Sequence, residues 1–142
     1  MYKAFKGKWQ AFGDKPIISI LSTGLICFNK ACYDTFVKPT NCKYVKLYHE
    51  PDIRSVAFEF RPGKAGDFVL SINLTKTGYL AVVNAKTFFK QFGIKLPEQP
   101  RSYPVSETII YESSPGYKRK RVGVKGIEIR LEEYFPTEQS EP

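Results

Sequence analysis

Residues 17–37, IISILSTGLICFNKACYDTFV, return in diluted form at 70–92 as LSINLTKTGYLAVVNAKTFFKQF. No other feature limits the possible folds as much. In each copy a Ser-Ile pair (Ser19-Ile20, Ser71-Ile72) precedes a Thr-Gly (Thr23-Gly24, Thr77-Gly78). An apolar run follows, and then an asparagine (Asn29, Asn84) that opens a short helical pattern. Each copy reads as a ββα unit, and the stretches between supply partner strands. The expectation is an α+β protein, mainly antiparallel β with two short helices and an internal ββαββ duplication, about eight strands in all. The repeat halves are 17–61 and 67–131, inside a single domain at 17–136.

Local signals place the elements. Ile17 to Leu21 and Leu25 to Phe28 flank Ser22-Thr23-Gly24, a three-residue hairpin loop with glycine in the left-handed position. Asn29 suits a helix N-cap. The first helix should end by Lys38-Pro39, because proline disfavours helical geometry in the residue before it. Cys32 and Phe36 share its buried face at i, i+4 spacing. Lys43 to Tyr48 alternates: with Val45 and Leu47 inward, Tyr44, Lys46 and Tyr48 project to the opposite side. His49 to Ile53 reads as a turn, and Ser55 to Phe60 returns with Val56, Phe58 and Phe60 inward. Phe68, Leu70, Ile72 and Leu74 then alternate inward on one strand, and Tyr79 to Val83 pairs back. In the second helix Ala85, Phe88, Phe89 and Phe92 lie at i, i+3, i+4 and i+7, with Gly93 as the stop. Pro97, Pro100 and Pro104 make 94–104 an extended connector. The last two strands are Val105 to Glu112 and Arg121 to Leu131. Val122 and Val124 have one parity and Ile127, Ile129 and Leu131 the other, which predicts a β-bulge at Lys125-Gly126.

Charge narrows the partner class. The chain has 22 Lys and Arg against 14 Asp and Glu, net +8. Residues 131–142 carry Glu132, Glu133, Glu138 and Glu141 and no base, so the first 130 hold 22 bases against 10 acids. A basic body favours polyanionic partners, although plain solubility explains a similar charge. Residues 1–16 form a basic-aromatic arm, with Lys3, Lys6, Lys8 and Lys15 among Tyr2, Phe5, Trp9 and Phe12. Residues 137–142 read as an acidic, disordered tail. The acidic end either competes with phosphate for a basic groove, recruits a protein through Tyr134 and Phe135, or is a frayed solubilising terminus.

Catalytic and metal patterns are weak. Cys27, Cys32, Cys42 and His49 lack the spacing of a zinc knuckle, so no metal site and no cofactor are expected. An odd set of three unpaired cysteines points to a reducing compartment, and cytoplasmic localisation is the expectation. The run IISILSTGLICF imitates a signal-peptide core, but Ser22-Thr23-Gly24 interrupts it and Asn29-Lys30 follows where small residues should stand. Neither a nucleophile elbow nor a poised carboxylate pair accompanies the single histidine, His49, so the protein is not expected to be an enzyme or to take a small-molecule substrate. No membrane partner is expected. Gly63, Lys64 and Gly66 lack the rest of a phosphate loop and read as turn residues.

Rings and cations carry the remaining signal. Single-stranded nucleic acid is held by a cationic groove along the phosphates and by aromatic rings under the bases. Tyr44, Lys46 and Tyr48 put ring, charge and ring on one strand face. Tyr117, Lys118, Arg119, Lys120 and Arg121 put one ring and four bases on a hairpin, and Lys125 adds a phosphate contact. The plain alternatives are a second apolar layer under a helix for the first group and a solvated hairpin tip for the second.

The order Lys43 to Tyr48, then Pro62-Gly63-Lys64-Ala65-Gly66, then Phe68 to Ser71, resembles the transcriptional-coactivator and Whirly class of single-stranded-DNA binders. There a basic-aromatic strand leads to a Pro-Gly-Lys-x-Gly turn and an apolar strand. The resemblance implies binding roles for Lys46, Tyr48 and Lys64. The expected function is therefore a small nucleic-acid-binding protein, single strands preferred and sequence specificity low. The alternative is an interaction or assembly module, such as a regulator or phage-type structural subunit, that forms homo-oligomers through its aromatic faces.

Overall fold

The computed structural model describes residues 15–64, 69–75, 81–111 and 123–136. Within them, ten strands form two five-stranded antiparallel sheets. The first contains β1 (Ile17–Ile20), β2 (Leu25–Phe28), β6 (Asn73–Leu74), β7 (Ala81–Asn84) and β8 (Arg101–Pro104), in the order β6-β7-β2-β1-β8. The second contains β3 (Tyr44–Glu50), β4 (Ser55–Arg61), β5 (Leu70–Ser71), β9 (Ser106–Ile110) and β10 (Val124–Arg130), in the order β5-β3-β4-β10-β9. The α+β, mainly antiparallel class is as the sequence predicts.

The inward faces of the two sheets share one core. Ile18, Ile20, Ile26 and Phe28 of the first meet Val45, Val56, Phe58, Ile127 and Ile129 of the second, and all are buried. The Phe28 ring meets Phe58 edge-on at a centroid distance of 5.7 Å and Phe60 at 6.1 Å. Short helices contribute to the same core. The first, α1 (Lys30–Cys32), continues as a π-helical stretch (Tyr33–Val37) and a 3-10 turn (Lys38–Thr40), and buries Cys32 and Val37. The second, α2 (Lys86–Gln91), buries Phe89. Gly24 and Gly93 take the positive φ their turns require, 93° and 64°. At Gly24 a Cβ would also lie 2.8 Å from the Lys86 Cα, so the hairpin loop can seat α2 only without a side chain.

Asn29 secures the first helix to the start of β1. Its side-chain oxygen accepts from the amides of Cys32 (2.8 Å) and Ile17 (3.0 Å), and its amide group donates to the Lys15 carbonyl at 2.8 Å. Losing an N-cap costs about 0.5–2 kcal/mol. Because this one also serves β1, Asn29→Ala should sit at the top of that range, about 2 kcal/mol by urea denaturation.

Several expectations are corrected. The strand expected at 68–74 is divided: Leu70 pairs with Val45 in one sheet and Asn73 with Val82 in the other. The chain therefore crosses between the layers, and Leu74, expected inward, is exposed. Phe68 lies outside the described residues. The proline-rich connector contains β8, whose Ile17↔Pro104 pairing puts proline on an edge strand, where a missing N–H is tolerated. The first helix does not stop at Lys38-Pro39. Proline opens the 3-10 turn instead, at a position where its missing N–H is not needed, and Asn41 ends it at φ 56°. His49 belongs to β3 and not to a turn. The predicted bulge is also missing, since β10 pairs with β9 in unbroken register from Val124↔Ile110 to Glu128↔Ser106.

The duplication is not established. Corresponding strands do lie side by side, β2 with β7 and β4 with β10. However, the first helix is a composite of three geometries and the second a plain α-helix, while β6 has two residues and β1 four.

Candidate functional site

The alternation of β3 carries through to the three-dimensional arrangement. With Val45 buried and Leu47 packed against the core, Tyr44, Lys46 and Tyr48 share the outer face of the second sheet. The β3–β4 register sets Tyr44 opposite Arg61, Lys46 opposite Glu59 and Tyr48 opposite Ala57. Each tyrosine has a lysine over its ring. The Lys46 ammonium is 5.2 Å from the Tyr48 centroid and that of Lys64 is 5.6 Å from Tyr44, both within cation–π range.

Glu59 lies among these groups and is the residue the sequence reading missed. Its carboxylate accepts the Tyr48 hydroxyl at 2.6 Å and stands 2.8 Å from Arg61 Nε, with a second contact to Nη2 at 3.2 Å. Burial by itself raises the Glu59 carboxyl, but the hydrogen bonds from Arg61 and Tyr48 and the charges of Arg61 and Lys46 outweigh it. The group is held below the usual glutamate range. Arg61 was missed with it. The parity of Val56, Phe58 and Phe60 already sends Glu59 and Arg61 outward; their meeting with Tyr44 and Tyr48 requires the β3–β4 register, which the sequence reading did not specify.

The other expected residues fare differently. Lys125 stands apart from these groups: unbroken pairing puts it on the face of Ile127 and Ile129, opposite to Tyr44, Lys46 and Tyr48. Tyr117, Lys118, Arg119, Lys120 and Arg121 lie outside the described residues, as do Glu138 and Glu141. In the acidic end, Glu132 pairs with Arg54 at 3.1 Å. Tyr134 stacks under the Arg101 guanidinium at 4.2 Å, and the Phe135 amide donates to the Ser102 carbonyl, so this segment runs along β8.

A cleft of about 990 Å³ adjoins the face, with Lys46, Tyr48, Ala57 and Glu128 in its lining. It also takes in His49, Phe88 and Phe92, reaching from the sheet to α2. His49 is half-buried there, its ring 5.3 Å from that of Phe92. Among the described residues no three His, Cys, Asp or Glu side chains gather to hold a metal ion. All three cysteines are free, and burial pushes the Cys32 thiol up to about 12, which keeps it protonated and unreactive at neutral pH. No helix among the described residues is long and apolar enough to cross a membrane. No protein-family model, curated protein or solved structure matches the chain.

Proposed function

We propose that the outer face of β3 and β4 binds single-stranded nucleic acid with low sequence specificity. The observation that carries this reading is the pairing of two exposed-face tyrosines with lysines, Lys46 with Tyr48 and Lys64 with Tyr44, beside the Arg61 guanidinium. Tyr44 and Tyr48 stand four residues apart on β3, about 13 Å along a strand, so the two rings can take non-adjacent unstacked bases with Lys46 between them. The lysines meet the phosphates that flank those bases. This is sequence-tolerant recognition, since every base has a π-face and every nucleotide a phosphate. The three positions implied by the resemblance to the coactivator and Whirly class are Lys46, Tyr48 and Lys64, and all belong to these pairs.

The test is a filter-binding titration of labelled single strands across a salt series. If about three phosphates are neutralised, log K should fall with log salt at a slope near −2, as counterion release dictates for single strands. Failure to bind at low salt removes the proposal.

A second reading, an assembly module, is favoured by the cleft. Six large apolar side chains are exposed among the described residues, and four of them, Ile53, Phe92, Ile109 and Tyr111, line it at 45–56% exposure. Light scattering separates the readings, because an assembly subunit sediments and scatters as an oligomer without nucleic acid.

A further inference from the structure

We infer that the cleft beside β3 is the docking site of the chain's own first fourteen residues. This does not rest on the nucleic-acid reading. Ile53, Phe92, Ile109 and Tyr111 are exposed yet converge on one concavity, which isolated surface apolar residues do not ordinarily do. The cleft is half open to solvent, and its volume, about 990 Å³, leaves room for a few large side chains. Most of its lining is apolar, and its charged residues are Glu50, Glu128 and Lys46, with Glu128 also 3.6 Å from Arg130.

One segment of the chain has the complementary chemistry. Residues 1–14, MYKAFKGKWQAFGD, hold Tyr2, Phe5, Trp9 and Phe12 with Lys3, Lys6 and Lys8 against the single acid Asp14. Rings of this size fill apolar concavities at low entropic cost, and the lysines complement Glu50 and Glu128. Reach is sufficient. The segment leaves from Lys15, whose carbonyl is anchored by Asn29. Fourteen extended residues span on the order of 45 Å, several times the spacing of about 10 Å between two stacked sheets. Lys46 and Tyr48 line the same cleft, so a docked arm covers part of the nucleic-acid face.

Trp9 is the only tryptophan, which gives a direct readout on the full chain without nucleic acid. The expected result is blue-shifted indole emission shielded from acrylamide. Phe92→Asp and Ile109→Asp, both in the cleft wall, should each shift it to the red and abolish the shielding. Leu74→Asp alters an equally exposed apolar residue outside the cleft, and should leave the emission where it is. Circular dichroism verifies that each variant is folded. Emission and quenching equal to those of a synthetic 1–14 peptide overturn the proposal. So does a shielded signal that neither wall variant moves. Because these spectra contain no nucleic acid, failure here leaves the binding titration standing, and failure there leaves this intact.

Discussion

Phe58→Ala is expected to destabilise the protein by about 3–5 kcal/mol, the range for deleting a fully buried phenylalanine ring. Phe58 is fully buried on β4, and its ring sits edge-on to Phe28 of the opposite sheet. Truncation therefore loses transfer free energy, leaves a cavity between two rigid layers, and forfeits an aromatic contact of about 0.5–1.5 kcal/mol. A domain of this kind has about 5–15 kcal/mol in total, so the variant should lie near the edge of folding at 37 °C. Urea denaturation should show a lower midpoint with the same slope. Phe28→Ala combined with it should cost less than the two singles together, since each removes the shared contact. A loss below about 0.5 kcal/mol, within the range of surface substitutions, would mean that Phe58 does not join the sheets.

The legible and illegible parts of the fold divide along a physical line. Alternation in Lys43 to Tyr48 and Ser55 to Phe60 fixes which side chains enter the core, because period 2 leaves a half-buried strand only one way to face. Asn29, Gly24 and Gly93 are equally local signals, and each sits where its chemistry is needed. The sheet crossover at Ile72 was hidden because it depends on which strands lie beside Leu70 and Asn73, a non-local matter. Lys125 was hard to place for the opposite reason. Its neighbours Val124 and Gly126 look like a bulge when apolar side chains are assumed to point inward. In fact Val124 pairs with Ile110, which is buried outside the main core. An apolar cover on the outer face was not part of the sequence pattern. Glu59 and Arg61 were missed because their meeting with Tyr44 and Tyr48 depends on the β3–β4 register, which is again non-local.

The Glu59 carboxylate supplies the sharpest test of the nucleic-acid proposal, through two variants of opposite sign. Tyr44→Ala with Tyr48→Ala should weaken single-strand binding by about 2–6 kcal/mol, from about 1–3 kcal/mol per stacked base. Glu59→Gln should do the reverse. At neutral pH Glu59 is charged, its carboxyl being held below the usual range, and it stands 2.8 Å from Arg61 and on the strand position opposite Lys46. Amide replacement keeps the shape, removes a negative charge from the path of the phosphates, and releases the guanidinium from its carboxylate for bidentate phosphate contact. The gain should be largest at low salt and shrink as salt rises. Stability should move the other way: a depressed carboxyl stabilises the fold above its unfolded pKa and ceases to do so as pH falls through its folded value, so Glu59→Gln should be less stable than the parent at neutral pH and nearly equal to it in acid. Tighter binding by a less stable protein is hard to obtain from general disruption. If Glu59→Gln binds single strands no better than the parent at low salt, the phosphates do not pass over this face.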